Sequence, residues 1–330
     1  MNIAVLGAGA WGTAMAVHLA ARHAVTLWAR DPAQAAALNT QRVNQRYLAD
    51  ITIPAAISVT ADLPNALNNV TLVLAAVTTA GLRETLQRLK SAQCKAPVVW
   101  LCKGLEREQA QLPHQICATE LPHATCGVLS GPSFAEEVAR GQPTALTLAS
   151  TDASFAATTA RELHGGSLRV YSSSDVVGVE VAGAVKNVMA IATGICDGLN
   201  LGLNARAALM TRGLAEITRL GVALGGRAET FMGLAGVGDL ILTCTGNLSR
   251  NRRVGLMLAE NKKGKALDAI LTELGHVAEG VYSAREVARL AKARGIDMPI
   301  TDAVCRVLDA PGTAAAAARE LLARDAKSES

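Results

Sequence analysis

The amino-acid sequence predicts an α/β N-terminal domain with a mostly parallel sheet, followed by an all-α C-terminal domain. Three observations carry that expectation. Up to about residue 172, short β-branched or apolar runs alternate with helical stretches, the pattern of strands joined by crossover helices. Beyond Asp175 the strand signal fades and apolar residues recur with a 3.6-residue period. A G-x-G-x-x-G hexapeptide joins the first strand-like run to the first helical one. With 330 residues, the chain is long enough for two domains that each bury a core.

The expected strands are residues 2–6, 25–28, 70–76, 98–101, 127–129, 145–148 and 168–171. Ala-rich helical stretches lie between them: from the hexapeptide through about Arg22, then 33–39, 83–89, 135–140 and 155–163. Asp31 before Pro32 has the signature of a helix cap followed by proline at the first helical position. Small polar residues at Ser172-Ser173-Ser174-Asp175 mark the expected boundary between domains 1–172 and 173–330, with Ser174 or Asp175 capping the next helix. That helix should run over 176–193, and Gly-rich turns are expected at 194–202, 225–226 and 233–238. The polar tail 327–330 should fray.

Composition narrows the function. Half the residues are apolar and 18% are charged, too hydrophobic for a disordered chain. Phe, Tyr and Trp number three each, so the cores are aliphatic and rings for stacking on bases are scarce. Lys and Arg (32) against Asp and Glu (28) leave a net charge of +4, no basic field for nucleic acid or membrane, while a small anionic ligand stays open. The seven cysteines are odd in number, scattered and without a C-x-x-C pair, which indicates neither a disulfide framework nor a metal site and fits a reducing cytoplasm. The N-terminal MNIAVLGAGAWG has no basic stretch before its apolar run. The apolar stretch 70–82 is about 13 residues, short of the roughly 20 that span a bilayer. These features predict a soluble protein.

Gly7-Ala8-Gly9-Ala10-Trp11-Gly12 has the context of a dinucleotide-binding, Rossmann-type turn. Gly7 makes the tight turn, Gly9 admits a pyrophosphate, Gly12 lets helix pack on strand, and the helix N-terminus offers N–H donors and partial positive charge. The second strand ends Trp28-Ala29-Arg30-Asp31. Ala29 stands near the position where an NAD site places an acid, and Arg30 is placed to pair with a 2′-phosphate, so NADPH is favoured over NADH.

Further along, Lys103-Gly104 follows a strand, on the side where open α/β sheets bind ligands. Ser133 and Glu136 in Gly131-Pro132-Ser133-Phe134-Ala135-Glu136 have capping-box spacing, and the N–H groups there also suit an anion. Lys186 and Glu180 are the only charges in the helix 176–193. Lys186 lies beside Asn187 on a side lined by Gly183, Ala190 and Gly194. A lysine there is desolvated or lines a cavity, which suits proton transfer or carbonyl polarisation; the alternative is a lysine that snorkels from the core. The turn ending in Asp239 offers a carboxylate to orient it, or a simple cap. Ser249-Arg250-Asn251-Arg252-Arg253 sets a hydroxyl, an amide and guanidiniums at a helix start, an arrangement for one small phosphate.

In order, the fingerprint, Lys103-Gly104, Leu129-Ser130-Gly131-Pro132-Ser133-Phe134-Ala135-Glu136, Ala184-Val185-Lys186-Asn187, Thr211-Arg212-Gly213-Leu214-Ala215-Glu216, Gly236-Val237-Gly238-Asp239, Leu242-Thr243-Cys244-Thr245, Ser249-Arg250-Asn251-Arg252 and Val277-Ala278-Glu279-Gly280 resemble the bacterial NAD(P)-dependent sn-glycerol-3-phosphate dehydrogenases over nearly the whole chain. The resemblance implies reversible reduction of dihydroxyacetone phosphate to sn-glycerol 3-phosphate with NADPH or NADH, for glycerophospholipid synthesis. It implies Lys186 as proton donor and acceptor, with Asn187, Asp239 and Thr243 around the reacting carbonyl. Lys103, Gly131, Ser133, Ser249, Arg250 and Asn251 would hold substrate. Gly7, Gly9, Trp11, Gly12, Arg30, Lys103, Ala135, Arg250, Val277 and Glu279 would contact the nucleotide. The partner is thus a small phosphorylated substrate, and a homodimer is compatible with the reading. Members often carry a proline where this chain reads Val77-Thr78-Thr79. The alternatives are an enzyme like the β-hydroxyacid dehydrogenases or ketopantoate reductase, which would not need the phosphate cluster, and a non-catalytic NADP-binding sensor, which would not need the lysine.

Overall fold

A computed structural model describes residues 1–323 apart from 262, 263 and 276; the tail expected to fray at 327–330 lies outside the described residues. Contacts divide the chain into two compact units, the first formed by Met1–Lys103 with Gln111–Glu180, the second by Gly104–Ala110 with the chain from Val181 onward.

Unit 1 runs β1 (Asn2–Leu6), α1 (Ala10–Leu19), β2 (Ala24–Trp28), α2 (Pro32–Gln41), β3 (Val43–Asn44), β4 (Leu48–Thr52), β5 (Ser58–Thr60), α3 (Leu63–Ala66), β6 (Leu72–Ala75), α4 (Thr79–Ser91), β7 (Val98–Trp100), α5 (Pro113–Glu120), β8 (Cys126–Ser130), α6 (Ala135–Ala139), β9 (Thr144–Ala149), α7 (Ala153–Leu163) and β10 (Leu168–Ser173). Eight strands form one sheet in the order β10-β9-β8-β7-β6-β1-β2-β5. All neighbours are parallel except β8 and β9, which pair antiparallel from Val128↔Ala149 to Ser130↔Thr147. Burial on both faces explains the continuous apolar runs: Ile3, Val5, Leu27, Leu72, Leu74 and Val99 face one core, and the alternate residues Ala4, Leu6, Val73 and Val98 are buried on the other face. The seven expected strands are all present. The strands β3, β4 and β5 carry short or polar sequences that do not read as strands; β3 and β4 pair only with each other, and β5 is a strand by pairing with the distant β2. The first helix stops at Leu19, before Arg22. Asp31 caps α2 as its sequence implies, its side chain accepting from Ala33 N at 2.9 Å.

Unit 2 is helical, and its first helix begins in unit 1: α8 (Val176–Gly198), α9 (Gly202–Ala223), α10 (Ala228–Phe231), a π-helical turn (Leu234–Gly238), α11 (Asp239–Thr245), α12 (Arg250–Glu260), α13 (Leu267–Leu274), α14 (Glu279–Ala293), α15 (Pro299–Asp309) and α16 (Ala314–Leu322). Asp175 accepts from Gly178 N at 2.9 Å and caps α8. The helix α8 is long and apolar enough to cross a membrane by composition, but 94% of that stretch is buried inside the protein, as in a core helix.

One expected turn is corrected. Gly194 does not end the helix, which continues to Gly198. A Cβ on Gly194 would stand 2.0 Å from the Arg252 carbonyl oxygen, and one on Gly255 would stand 2.1 Å from that of Ile191. These glycines let α8 and α12 meet backbone to backbone, so their role is close packing rather than a turn.

Candidate active site

In unit 1 the hexapeptide forms the turn between β1 and α1. Gly7 has φ +116°, and a Cβ there would lie 2.5 Å from the Ala76 carbonyl oxygen; a Cβ on Gly12 would lie 1.9 Å from that of Gly7. Neither position tolerates a side chain. Gly9 differs, because a Cβ there meets nothing within 4 Å. Its missing side chain opens space at the start of α1, which has no side-chain cap. That is the cradle a pyrophosphate needs, facing a helix N-terminus. The buried indole N–H of Trp11 has no hydrogen-bond partner, leaving a donor beside this loop. The residues fit a dinucleotide.

The turn is held from behind by two amides that sequence reasoning missed. Gln34 Nε2 donates to the Ala8 carbonyl at 2.8 Å, and buried Asn44 Nδ2 donates to the same oxygen at 3.0 Å and to Thr13 Oγ1 at 2.8 Å. Asn44 lies in a two-residue strand, and its spacing carries no signal of a distant partner. Arg30 is exposed at the end of β2, its Nη1 3.4 Å from Glu84 Oε2, a loose surface pair. The Val77-Thr78-Thr79 loop leads into α4 with extended backbone at Thr78.

Lys103, Gly131 and Ser133 come together. Lys103 Nζ and Ser133 Oγ each donate to the Gly131 carbonyl at 2.9 Å. Gly131, with φ +138°, follows directly on β8, and a Cβ there would lie 3.1 Å from the Ala145 carbonyl oxygen. The expected capping box does not form: Phe134 is the residue before α6 and provides no side-chain cap, Ser133 turns back to Gly131, and Glu136 pairs with Arg140. A hydroxyl two residues from a left-handed glycine reaches that carbonyl more readily than a helix N–H ahead of it. Ala135 opens α6.

In unit 2, α8 and α11 bring the expected lysine and carboxylate together. Lys186 is 5% exposed and Asp239 is 1% exposed. Lys186 Nζ donates to Asp239 Oδ1 at 2.5 Å and to Thr243 Oγ1 at 2.7 Å, while Thr243 Oγ1 donates to the Asp239 carbonyl at 2.7 Å. Asp239 follows directly on the π-helical turn, in which Gly238 N donates to Gly233 O at 3.2 Å. Such turns shift helix register by one residue and are frequent at functional sites. A buried cation this close to a buried carboxylate is neutralised and oriented at once. Glu180, the second charge of the stretch 176–193, is also paired: it accepts from His114 N at 2.9 Å, and its Oε2 lies 2.5 Å from His114 Nδ1. Burial pushes the Glu180 carboxyl above its ordinary range.

Beside the lysine an amide chain runs across three helices. Asn251 Nδ2 donates to Asn187 Oδ1 at 2.9 Å, and Gly280 N donates to Asn251 Oδ1 at 3.0 Å. Ser249 caps α12, accepting from Arg252 N at 3.2 Å. Arg250 is exposed in the first turn of that helix, Glu279 begins α14, and Val277 is 52% exposed just before it. The arginine run is corrected in one respect, since Arg252 points inward and pairs with Asp197.

Family models for the N-terminus and the C-terminus of NAD-dependent glycerol-3-phosphate dehydrogenase match residues 2–156 and 175–318. The chain is 58% identical, over 100% of its length and 99% of the relative, to glycerol-3-phosphate dehydrogenase [NAD(P)+] from Dechloromonas aromatica. The chain belongs to the NAD(P)-dependent glycerol-3-phosphate dehydrogenase family. A member from Thiobacillus denitrificans is 57% identical over 100% of both chains. The crystal structure of glycerol-3-phosphate dehydrogenase from Coxiella burnetii superposes with a TM-score of 0.92 at 43% identity, covering 98% of this chain and 99% of that one. The glycerol-3-phosphate dehydrogenase fold therefore extends over both units, from the glycine turn of unit 1 to the buried lysine of unit 2.

Proposed function

We propose that this chain reduces dihydroxyacetone phosphate reversibly to sn-glycerol 3-phosphate, with NADPH or NADH as cofactor, and so supplies glycerol phosphate for glycerophospholipid synthesis. The observation that carries the reading is the buried Lys186–Asp239–Thr243 cluster, on the same unit as the Ser249–Arg250–Asn251 helix start. When bound, the reduced nicotinamide supplies the hydride. Hydride addition to a ketone leaves charge on oxygen, and Lys186 both stabilises that charge and gives the proton. Asp239 and Thr243 hold the ammonium in place, so little reorganisation is needed during reaction. Asn187 lies beside the lysine, where its amide orients the reacting group.

We assign the substrate phosphate to Ser249, Arg250 and Asn251, and further substrate contacts to Lys103, Gly131 and Ser133. Anchoring a remote phosphate spends binding energy on orienting the carbonyl. We assign the nucleotide to Gly7, Gly9, Trp11, Gly12 and Arg30, with Lys103, Ala135, Arg250, Val277 and Glu279. NADPH preference rests on Arg30 at the end of β2 and on Ala29 in place of an acid. Residues 1–172 accordingly form the dinucleotide-binding domain and 173–330 the helical domain that carries the catalytic lysine. A homodimer is compatible with this reading. A cytoplasmic location is supported by the odd, scattered cysteines.

The test is oxidation of NADPH, and separately of NADH, by purified protein with and without dihydroxyacetone phosphate. Lys186→Ala should lose about 10²–10⁴ in turnover and keep NADPH binding. Retained turnover in that variant would refute the assignment.

A further inference from the structure

Asp197 lies in the last turn of α8, where a carboxylate opposes the helix dipole and gains nothing from the helix itself. Its side chain is only 15% exposed, and guanidiniums from two other helices converge on it. Arg252, in the first turn of α12, donates to Asp197 Oδ2 through Nε at 2.9 Å and Nη2 at 2.7 Å. Its Nη1 donates to Asn247 Oδ1 at 3.3 Å. Arg206 of α9 donates through Nη1 to Oδ2 at 3.1 Å and Oδ1 at 3.3 Å. An arginine engaged through three nitrogens and 14% exposed is withdrawn from any ligand.

The same stretch of α12 is pinned to α8 at two more points. The backbones touch at Gly194 and Gly255, and Asn251 bonds Asn187. The helix α8 carries Lys186 and the helix α12 starts at Ser249-Arg250-Asn251, so these contacts set the spacing between the two groups. A fork of charge-assisted hydrogen bonds has little angular freedom, which makes it a stiff tie where a single point charge would swivel.

We propose that Asp197 is a positioning residue for the substrate phosphate, a reading that rests on the function proposed above. Through Arg252 it fixes the first turn of α12 relative to Lys186, and Arg206 holds Asp197 in turn. The resulting fixed separation selects substrates whose carbonyl and phosphate stand at one distance.

The test compares full-length Asp197→Asn, Arg206→Gln and Arg252→Lys with the wild type in three measurements. These are reduction of dihydroxyacetone phosphate, reduction of phosphate-free dihydroxyacetone, and the thermal shift produced by inorganic phosphate. Asp197→Asn should raise KM for dihydroxyacetone phosphate on the order of tenfold and abolish most of the phosphate-induced shift. Efficiency with dihydroxyacetone should stay within about twofold. Arg252→Lys keeps the charge but loses the fork, and should behave like Asp197→Asn. An unchanged KM and phosphate shift overturns the proposal, as does an equal loss with both substrates, which marks a purely structural role. If Asp197→Asn does not fold, the half-buried Arg206→Gln decides by the same measures. A wild type that fails to reduce dihydroxyacetone phosphate sinks the functional reading, and the phosphate thermal shift still judges Asp197.

Discussion

Asp239→Asn keeps the shape of the side chain and removes its charge, which leaves Lys186 as a buried cation without its counter-ion. Both groups are almost wholly enclosed, at 5% and 1% exposure, so water cannot take the place of the carboxylate. Breaking a buried ion pair on one side costs about 3–5 kcal/mol. With an unfolding entropy of about 2.1 cal/mol/K per residue, each kcal/mol moves the midpoint of a 330-residue chain by about 1.5 °C, so Asp239→Asn should unfold about 4–7 °C lower. Lys186→Met, which leaves the anion behind, should fall in the same range. The double variant removes both charges and should return to within about 1 kcal/mol of the wild type, because paired replacement of a buried ion pair is often neutral. All three should be inactive towards dihydroxyacetone phosphate. The measurement is calorimetric unfolding of the four proteins at one pH. Single variants within about 2 °C of the wild type, or a double variant whose losses add, would refute the view that this pair is held by mutual neutralisation.

Other consequences are open to direct measurement. Gly9→Ala should leave the melting temperature nearly unchanged, because its Cβ enters open space, and should weaken NADPH binding tenfold or more, about 1.4 kcal/mol, by occupying the pyrophosphate's place; Gly12→Ala should lower both, and equal behaviour of the two would contradict the roles given to them. Glu216 accepts from Ile300 N and Thr301 N, and burial pushes its carboxyl from 4.5 to about 7. The folded state therefore prefers the protonated acid, and the stability this contributes is present below pH 4.5 and lost as pH rises through about 7, on the order of 3 kcal/mol in all. Urea midpoints from pH 4 to 8 should show that decline in the wild type and a flatter profile in Glu216→Gln. Arg250→Ala should raise KM for dihydroxyacetone phosphate far more than for dihydroxyacetone, and equal changes would argue against a phosphate contact.

Legibility in the sequence followed the range of the interaction. The fingerprint could be read because its three glycines answer local demands: a left-handed turn at Gly7, open space at Gly9 and a helix against a carbonyl at Gly12. Lys186 could be singled out because a cation inside an apolar helix conflicts with its surroundings. Asp239 was readable as a candidate partner, though a separation of 53 positions hides the pairing. Gly194 misled for the complementary reason, since glycine as a breaker and glycine as a packing surface look alike until the second helix is present. Ser133 at capping-box spacing likewise had two acceptable bonds, and the left-handed Gly131 gave it the nearer one.

Periodicity, the glycine turn and the misplaced lysine are properties of neighbours along the chain, and they sufficed for the α/β-then-α order and for singling out the glycine turn and Lys186, while the substrate came from the family resemblance. Which carbonyl the amides of Gln34 and Asn44 restrain, that β9 and β10 run opposite to the other six strands, and which arginine of the Ser249–Arg253 run turns inward depend on partners 26 to 55 residues away or on another strand of the sheet. Hydrogen bonds and ion pairs are short-ranged and directional, so their partners are chosen only when packing has brought distant segments within about 3 Å. Arg250 and Arg252 are the same residue type two positions apart, and the rotation of α12 against α8 leaves one exposed while the other grips Asp197.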